Sequence, residues 1–148
     1  MPIAIDILGK KILLIGGGRI AMHKIISLRQ YCADIRVVAL EVIEDIKKLG
    51  LCYTEKPYEQ SDLQGSFLVY ACTNITTLNE QVQHDCSVLG ILVNVVDNPA
   101  LCDFVSPAIY KKEFLSVAVT SNARNVYKSI EVRDRIKNFI ENDYTQPL

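Results

Sequence analysis

The sequence predicts a doubly wound α/β fold around a parallel sheet, and three observations carry that expectation. Short β-branched runs alternate with longer amphipathic stretches, which is the rhythm of βαβ units. The first run, Lys11-Ile12-Leu13-Leu14-Ile15, is apolar without interruption, as a central strand buried on both faces requires, and it stops at Gly16-Gly17-Gly18. The chain has 148 residues, 49% hydrophobic and 22% charged, which is enough to build one core and is unlike a disordered composition.

The elements follow in order. After the glycines, Ile20, Ile25, Ile26 and Leu28 supply an apolar helix face over Arg19 to Gln30. Ile35 to Leu40 reads as the second strand, Ile43 to Leu49 as a short helix, and Leu51-Cys52-Tyr53-Thr54 as a third strand. Phe67-Leu68-Val69-Tyr70-Ala71 is a strong fourth, and the helix from Thr76 to Leu89 is closed by Gly90. Ile91 to Val95 then returns to the sheet. Beyond the turn signal Asp97-Asn98-Pro99, two strands are expected at Asp103–Ala108 and Phe114–Val119, paired antiparallel across Tyr110-Lys111-Lys112-Glu113. A charged helix follows over Val126 to Ile140, with Ile130, Ile136 and Ile140 as its apolar positions. That last stretch is too thin for a core of its own and is expected to pack on the sheet or on a second chain. The division expected is a sheet-forming domain over 1–112 and a short extension over 113–148.

Composition excludes several function classes. Sixteen Lys and Arg against seventeen Asp and Glu give a net charge of −1, with no basic excess to suggest nucleic acid or an anionic membrane as partner. No apolar run approaches the ~20 residues of a membrane span, and Met1-Pro2-Ile3-Ala4-Ile5-Asp6 lacks the charged start of a leader, so a cytoplasmic protein is expected. The five cysteines are odd in number, widely spaced and never form C-x-x-C, a pattern of reduced thiols that serve mostly as small core residues. With His23 and His84 as the two histidines, no metal site is expected.

Gly16-Gly17-Gly18-Arg19-Ile20-Ala21 satisfies G-x-G-x-x-A between a strand and a helix. In that context Gly16 permits the tight turn, Gly18 lets backbone approach a pyrophosphate, and Ala21 keeps the helix close to the sheet. The free N–H groups of the helix start, together with its dipole, then face the phosphates. Glu41, directly after Val37-Val38-Ala39-Leu40, is the acid expected to accept from the adenosine ribose and to disfavour a 2′-phosphate, so NAD is the expected cofactor. The same carboxylate would also suit the start of the next helix. Thr73 and Asn74 fall at the carboxyl edge of the fourth strand, where ligands bind, and equally suit a helix cap. Asp97 before Asn98-Pro99 suits either a general base or a turn starter.

These residues resemble a known family. Ile15 to Ala21 with Lys24, Tyr70-Ala71-Cys72-Thr73-Asn74 with Asn79, Val93-Asn94-Val95-Val96-Asp97 and Phe104-Val105-Ser106-Pro107-Ala108 are similar to the precorrin-2 dehydrogenase and sirohydrochlorin ferrochelatase family, the NAD-binding modules of siroheme synthesis. The resemblance implies a Rossmann-like domain and a homodimer. It implies oxidation of precorrin-2, a tetrapyrrole, to sirohydrochlorin and, in some members, Fe²⁺ as a second substrate for insertion. By position, Gly16, Gly18, Arg19, Ile20, Leu40 and Glu41 would hold NAD with Thr73 and Asn74 nearby, and Asp97 matches the family's catalytic aspartate. Asp103 is a second acid close by.

Two features depart from the family pattern. Ser121 to Ser129 replaces a glycine-rich segment with a bulkier, more basic one, in which Arg124 and Lys128 could donate to substrate carboxylates. Fuller members also continue with a helical domain beyond the position of Leu148, so metal insertion is less expected here than dehydrogenation. A ferrochelatase, and a non-catalytic NAD(H)-binding sensor or assembly module, are the other readings.

Overall fold

A computed structural model describes residues 2–31, 34–96 and 98–143. The chain forms two compact units, one of residues 4–104 and a second built on residues 105 onward with the first three residues. The first unit ends at Phe104, ahead of a hairpin that the expected boundary at 112 would cut.

In the first unit β1 (Ile12–Gly17), β2 (Ile35–Val42), β3 (Cys52–Glu55), β4 (Leu68–Ala71) and β5 (Leu92–Val95) form a parallel sheet ordered β3-β2-β1-β4-β5. The alternation of the strands accounts for their unbroken apolar runs. Ile12 and Leu14 face a cluster with Ala21, Ile25 and Leu28 of α1 (Arg19–Leu28) and Ile46 of α2 (Glu44–Lys47). Leu13 and Ile15 face the other side with Val82 and Cys86 of α3 (Thr76–Leu89). This is the doubly wound fold predicted from the sequence.

Several boundaries differ, each for a physical reason. β1 runs on through Gly17 and slips register against β2 between Ile15 and Gly17, because Gly16 at φ +116° makes a bulge that only glycine tolerates. β2 continues to Val42, whose amide is held by donating to the Glu55 carboxylate at 2.9 Å. A 3₁₀ turn at Gln60–Leu63, not foreseen, is held by the Glu59 amide donating to Asp62 at 2.9 Å and plugs Leu63 into the core at 0% exposure. Gly90 closes α3 in the left-handed region at φ +66°, as expected.

The second unit is a hairpin of β6 (Ala108–Lys112) and β7 (Leu115–Val119) with α4 (Val126–Asn138) on it and a π turn at Phe139–Asp143. The first strand of the pair lies later than the expected Asp103–Ala108. Pro107 offers no N–H to a ladder, so pairing begins at Ala108, and the turn contracts to Glu113-Phe114 with Glu113 at φ +51°. Arg133 of α4 donates to the Ile109 carbonyl at 3.0 Å and Tyr110 to Glu141 at 3.3 Å. The α4 positions read as apolar do not form a buried seam: Ile130 is 38% exposed, and the helix residue buried in the unit is Ser129.

Candidate functional site

The strand order places the switch point of the sheet between β1 and β4, where the connections from neighbouring strands leave in opposite directions and a crevice opens at the carboxyl edge. Three glycines build the β1 side of it, each differently. A side chain on Gly16 would meet the Cys72 carbonyl oxygen at 2.7 Å, and one on Gly17 would run into the Glu41 carbonyl oxygen and meet Val42 Cα at 2.8 Å. Gly16 therefore admits β4 and Gly17 admits β2, a role the motif did not predict. Gly18 has nothing within 4 Å of its absent side chain. Its open face is the one left for a ligand.

Gly18 is also the N-cap of α1, with no side-chain cap and no acid in the first turn, and the exposed Arg19 and Ile20 open the helix. Uncapped N–H groups and the positive dipole end thus meet the space above Gly18. Ala21 is fully buried, which holds the helix against the sheet. Across β1, Leu40 is 69% exposed and Glu41 is exposed at the end of β2. Glu41 lies inside the strand and not at the start of α2, whose first turn already holds Glu44 and Asp45. The helix-start role that Glu41 would suit is therefore filled by others. An anion cradle, an exposed apolar side chain and a carboxylate in this order fit a dinucleotide's pyrophosphate, adenine and ribose.

On the β4 side, Thr73, Asn74, Thr76 and Asn79 face Val95, Val96, Asn98 and Leu101 across a cleft of about 230 Å³. Asn79, buried at 6% exposure, organises the near wall. Its amide donates to the Thr73 carbonyl at 2.9 Å and its oxygen accepts from the Thr73 hydroxyl at 2.7 Å. The Ile75 amide donates to Thr73 Oγ1 at 3.1 Å, so Thr73 shapes the loop ahead of α3 and leaves Asn74 exposed to the cleft. In the sequence Asn79 carries resemblance but no role, because its partner becomes evident only when α3 is laid beside β4.

The far wall is the loop after β5. Asp97 lies outside the described residues; its chain neighbours Val96 and Asn98 line the cleft. Asp103, the second acid near it in sequence, is structural. Its carboxylate accepts from the Val93 amide at 2.9 Å while its own amide donates to the Val93 carbonyl at 2.9 Å. Of the cysteines, Cys72 and Cys86 are buried as core residues, and burial pushes the Cys86 thiol up to about 12. Cys52 is instead exposed on edge strand β3, Cys102 is half-buried, and Cys32 lies outside the described residues. Among the described residues no group of His, Cys, Asp and Glu is arranged to hold a metal ion, and no helix is long and apolar enough to cross a membrane.

Residues 3–108 match a family model described as "Putative NAD(P)-binding". The siroheme synthase of Nitrosococcus oceani is 32% identical over 148 residues, covering 97% of this chain and 32% of that protein. That of Ectopseudomonas mendocina is 37% identical over 150 residues, covering 99% of this chain and 32% of that protein. The chain therefore spans about a third of the length of these curated relatives. Among solved structures, SirC, a precorrin-2 dehydrogenase, matches with a TM-score of 0.79 at 26% identity, over 97% of this chain and 70% of that one.

Proposed function

The chain belongs to this NAD(P)-binding family, and from that premise we propose that it is an NAD-dependent precorrin-2 dehydrogenase acting in siroheme formation. The observation that carries the reading is the open Gly18 cradle at the switch point, continuous with the sheet edge where Thr73, Asn74 and Asn98 line a cleft. The siroheme synthases and the precorrin-2 dehydrogenase among its relatives support the substrate class.

The residues divide the work. Gly16 makes the turn that opens the loop, Gly18 lets the pyrophosphate reach backbone, the Arg19 and Ile20 amides bind it, and Leu40 covers the adenine. Glu41 accepts from the ribose hydroxyls and repels a 2′-phosphate, which favours NAD over NADP. Thr73 and Asn74 bound the space beside the reacting ring. Bound there, the dinucleotide supplies the two-electron acceptor for oxidation of the macrocycle. Loss of a hydride from the tetrapyrrole must be matched by loss of a proton, and Asp97 is the base that takes it.

The protein works as a homodimer on this reading. Val126, Tyr127 and Ile130 of α4, with Phe114 of the hairpin, are exposed apolar side chains of the second unit that a copy of the chain would cover.

The test is an anaerobic assay with purified protein, precorrin-2 and NAD, following NADH and the sirohydrochlorin spectrum together. Turnover is expected in the wild type and a loss of about a hundredfold or more in Asp97→Ala, with NAD affinity unchanged by calorimetry. Full activity in the variant would remove Asp97 as the base. Absence of turnover in a wild type that binds NAD would remove the dehydrogenase.

A further inference from the structure

We propose that the Cys102 thiol is a positioning residue, a clasp that closes the loop 95–102 and so fixes the far wall of the cleft; the proposal rests on the dehydrogenase reading for its effect on turnover. The loop leaves the sheet at Val95 and returns at Cys102, and the thiol sits across its mouth. The Val95 amide donates to Cys102 Sγ at 3.2 Å, and Sγ lies 3.1 Å from the Val95 carbonyl oxygen and 3.3 Å from that of Asn98, either of which accepts its proton. The Asn94 side-chain amide donates to the same sulfur at 3.5 Å.

One side chain thus binds both polar groups of the last residue of the outgoing strand and a carbonyl inside the loop. The backbone turns within the loop are single bonds, from Asn98 to Val95 at 3.3 Å, Leu101 to Asn98 at 3.1 Å and Cys102 to Pro99 at 3.3 Å. None of these spans the mouth, so among the described residues the thiol is what ties the two ends of the loop together. The legs beyond it are fastened separately, by the Asp103 carboxylate and backbone on Val93 and by the Asn94 side-chain amide donating to the Phe104 carbonyl at 2.8 Å. Those bonds act one residue or more outside the mouth, whereas Cys102 acts at the mouth itself, beside Val96, Asn98 and Leu101 of the cleft wall.

The chemistry suits a thiol kept as a thiol. Burial pushes its pKa up, and the nearby Asp103 acts in the same direction, against the Val95 hydrogen bond and the Lys24 charge, which pull it down. It therefore keeps its proton at neutral pH and remains a donor as well as an acceptor. The thiol offers a proton and lone pairs to backbone groups that an alkyl side chain would only touch, a capacity a hydroxyl shares.

The test compares Cys102→Val, which fills the site with a slightly larger alkyl side chain and loses the hydrogen bonds, with Cys102→Ser, which keeps a donor and acceptor. In the precorrin-2 assay, Cys102→Val is expected to lower kcat about ten- to a hundredfold while the Kd for NAD stays put, because the Gly18 cradle is untouched. Cys102→Ser is expected to recover most of that loss. Amide exchange at Asn98 and Leu101 should accelerate in Cys102→Val and not at Asn79, on the opposite wall. Wild-type kcat in Cys102→Val, or no recovery in Cys102→Ser, overturns the clasp. If the wild-type chain shows no turnover, the dehydrogenase reading falls and exchange alone decides: faster exchange at Asn98 in Cys102→Val upholds the clasp, and unchanged exchange overturns it.

Discussion

Gly17 and Gly18 are adjacent and carry opposite constraints. A methyl at Gly17 would enter the backbone of β2, whereas one at Gly18 would enter open space. Gly17→Ala is accordingly expected to destabilise the protein by about 1–3 kcal/mol, the usual cost of overpacking, as read by chemical denaturation. Gly18→Asp should leave the denaturation midpoint nearly unchanged and lower NAD affinity by about two orders of magnitude, since it sets a carboxylate against the pyrophosphate. Unchanged affinity would refute the cofactor site. Glu41 offers a second residue-level test. Glu41→Arg should shift preference from NAD toward NADP by about tenfold or more, the worth of exchanging a repulsive charge for a charge-assisted hydrogen bond. A ratio of affinities that does not move would remove Glu41 from the ribose. The glycine pattern marks Gly16 and Gly18 in the sequence, but Gly17 is constrained by a strand some 25 residues away in the chain, which no local pattern encodes.

At the scale of elements, the ends of β2 and β3 are joined by one side chain. Glu55 accepts from the Val42 amide at 2.9 Å and pairs with Lys47 at 3.0 Å, so it ties β3 to the strand that presents Leu40 and Glu41 and to α2. The Val42 amide, and after it Lys47, hold its carboxyl below the ordinary value of 4.5. A lowered folded-state pKa stabilises the protein above the ordinary value, and that stability disappears as pH falls through the lower folded one. Wild type should therefore exceed Glu55→Gln in stability at pH 7, with the gap closing below about pH 4.5. A gap that persists at pH 2 would show that the carboxylate charge is not its source. The elements themselves are largely legible in the sequence, because apolar runs and Gly90 report local burial and chain reversal. The start of the hairpin is not, since its strands hold mixed residues and its first pair depends on which amides find partners. Pro107 excludes itself from the ladder, and Ala108 becomes the first residue paired.

At the scale of the whole molecule, the two units differ in how fully they satisfy themselves. The central strands β1 and β4 are buried on both faces, with Ile12, Leu14 and Val69 at 0% exposure, whereas α4 leaves Tyr127 at 88% and Val126 at 56%. A helix bearing that much apolar surface calls for a partner, and the homodimer we propose supplies one. Sedimentation equilibrium should give a dimer for the wild type. Ile130→Glu should weaken it by about tenfold or more by burying a charge in the interface. A wild type that stays monomeric at all concentrations would leave the α4 face to something other than a second copy.

By itself the sequence determined the fold class, the order of the sheet-forming runs, the position of the glycine turn between β1 and α1 and the family resemblance. These are local quantities: side-chain periodicity, glycine punctuation and a motif within six residues of chain. Only the tertiary structure decided that Gly17 serves β2, that Asn79 organises Thr73, that Glu55 fastens Val42 and that Cys102 closes the loop beside the cleft. Each of these depends on a distance between segments brought together by folding, and backbone groups left over at strand ends can be satisfied only by whichever side chain arrives beside them.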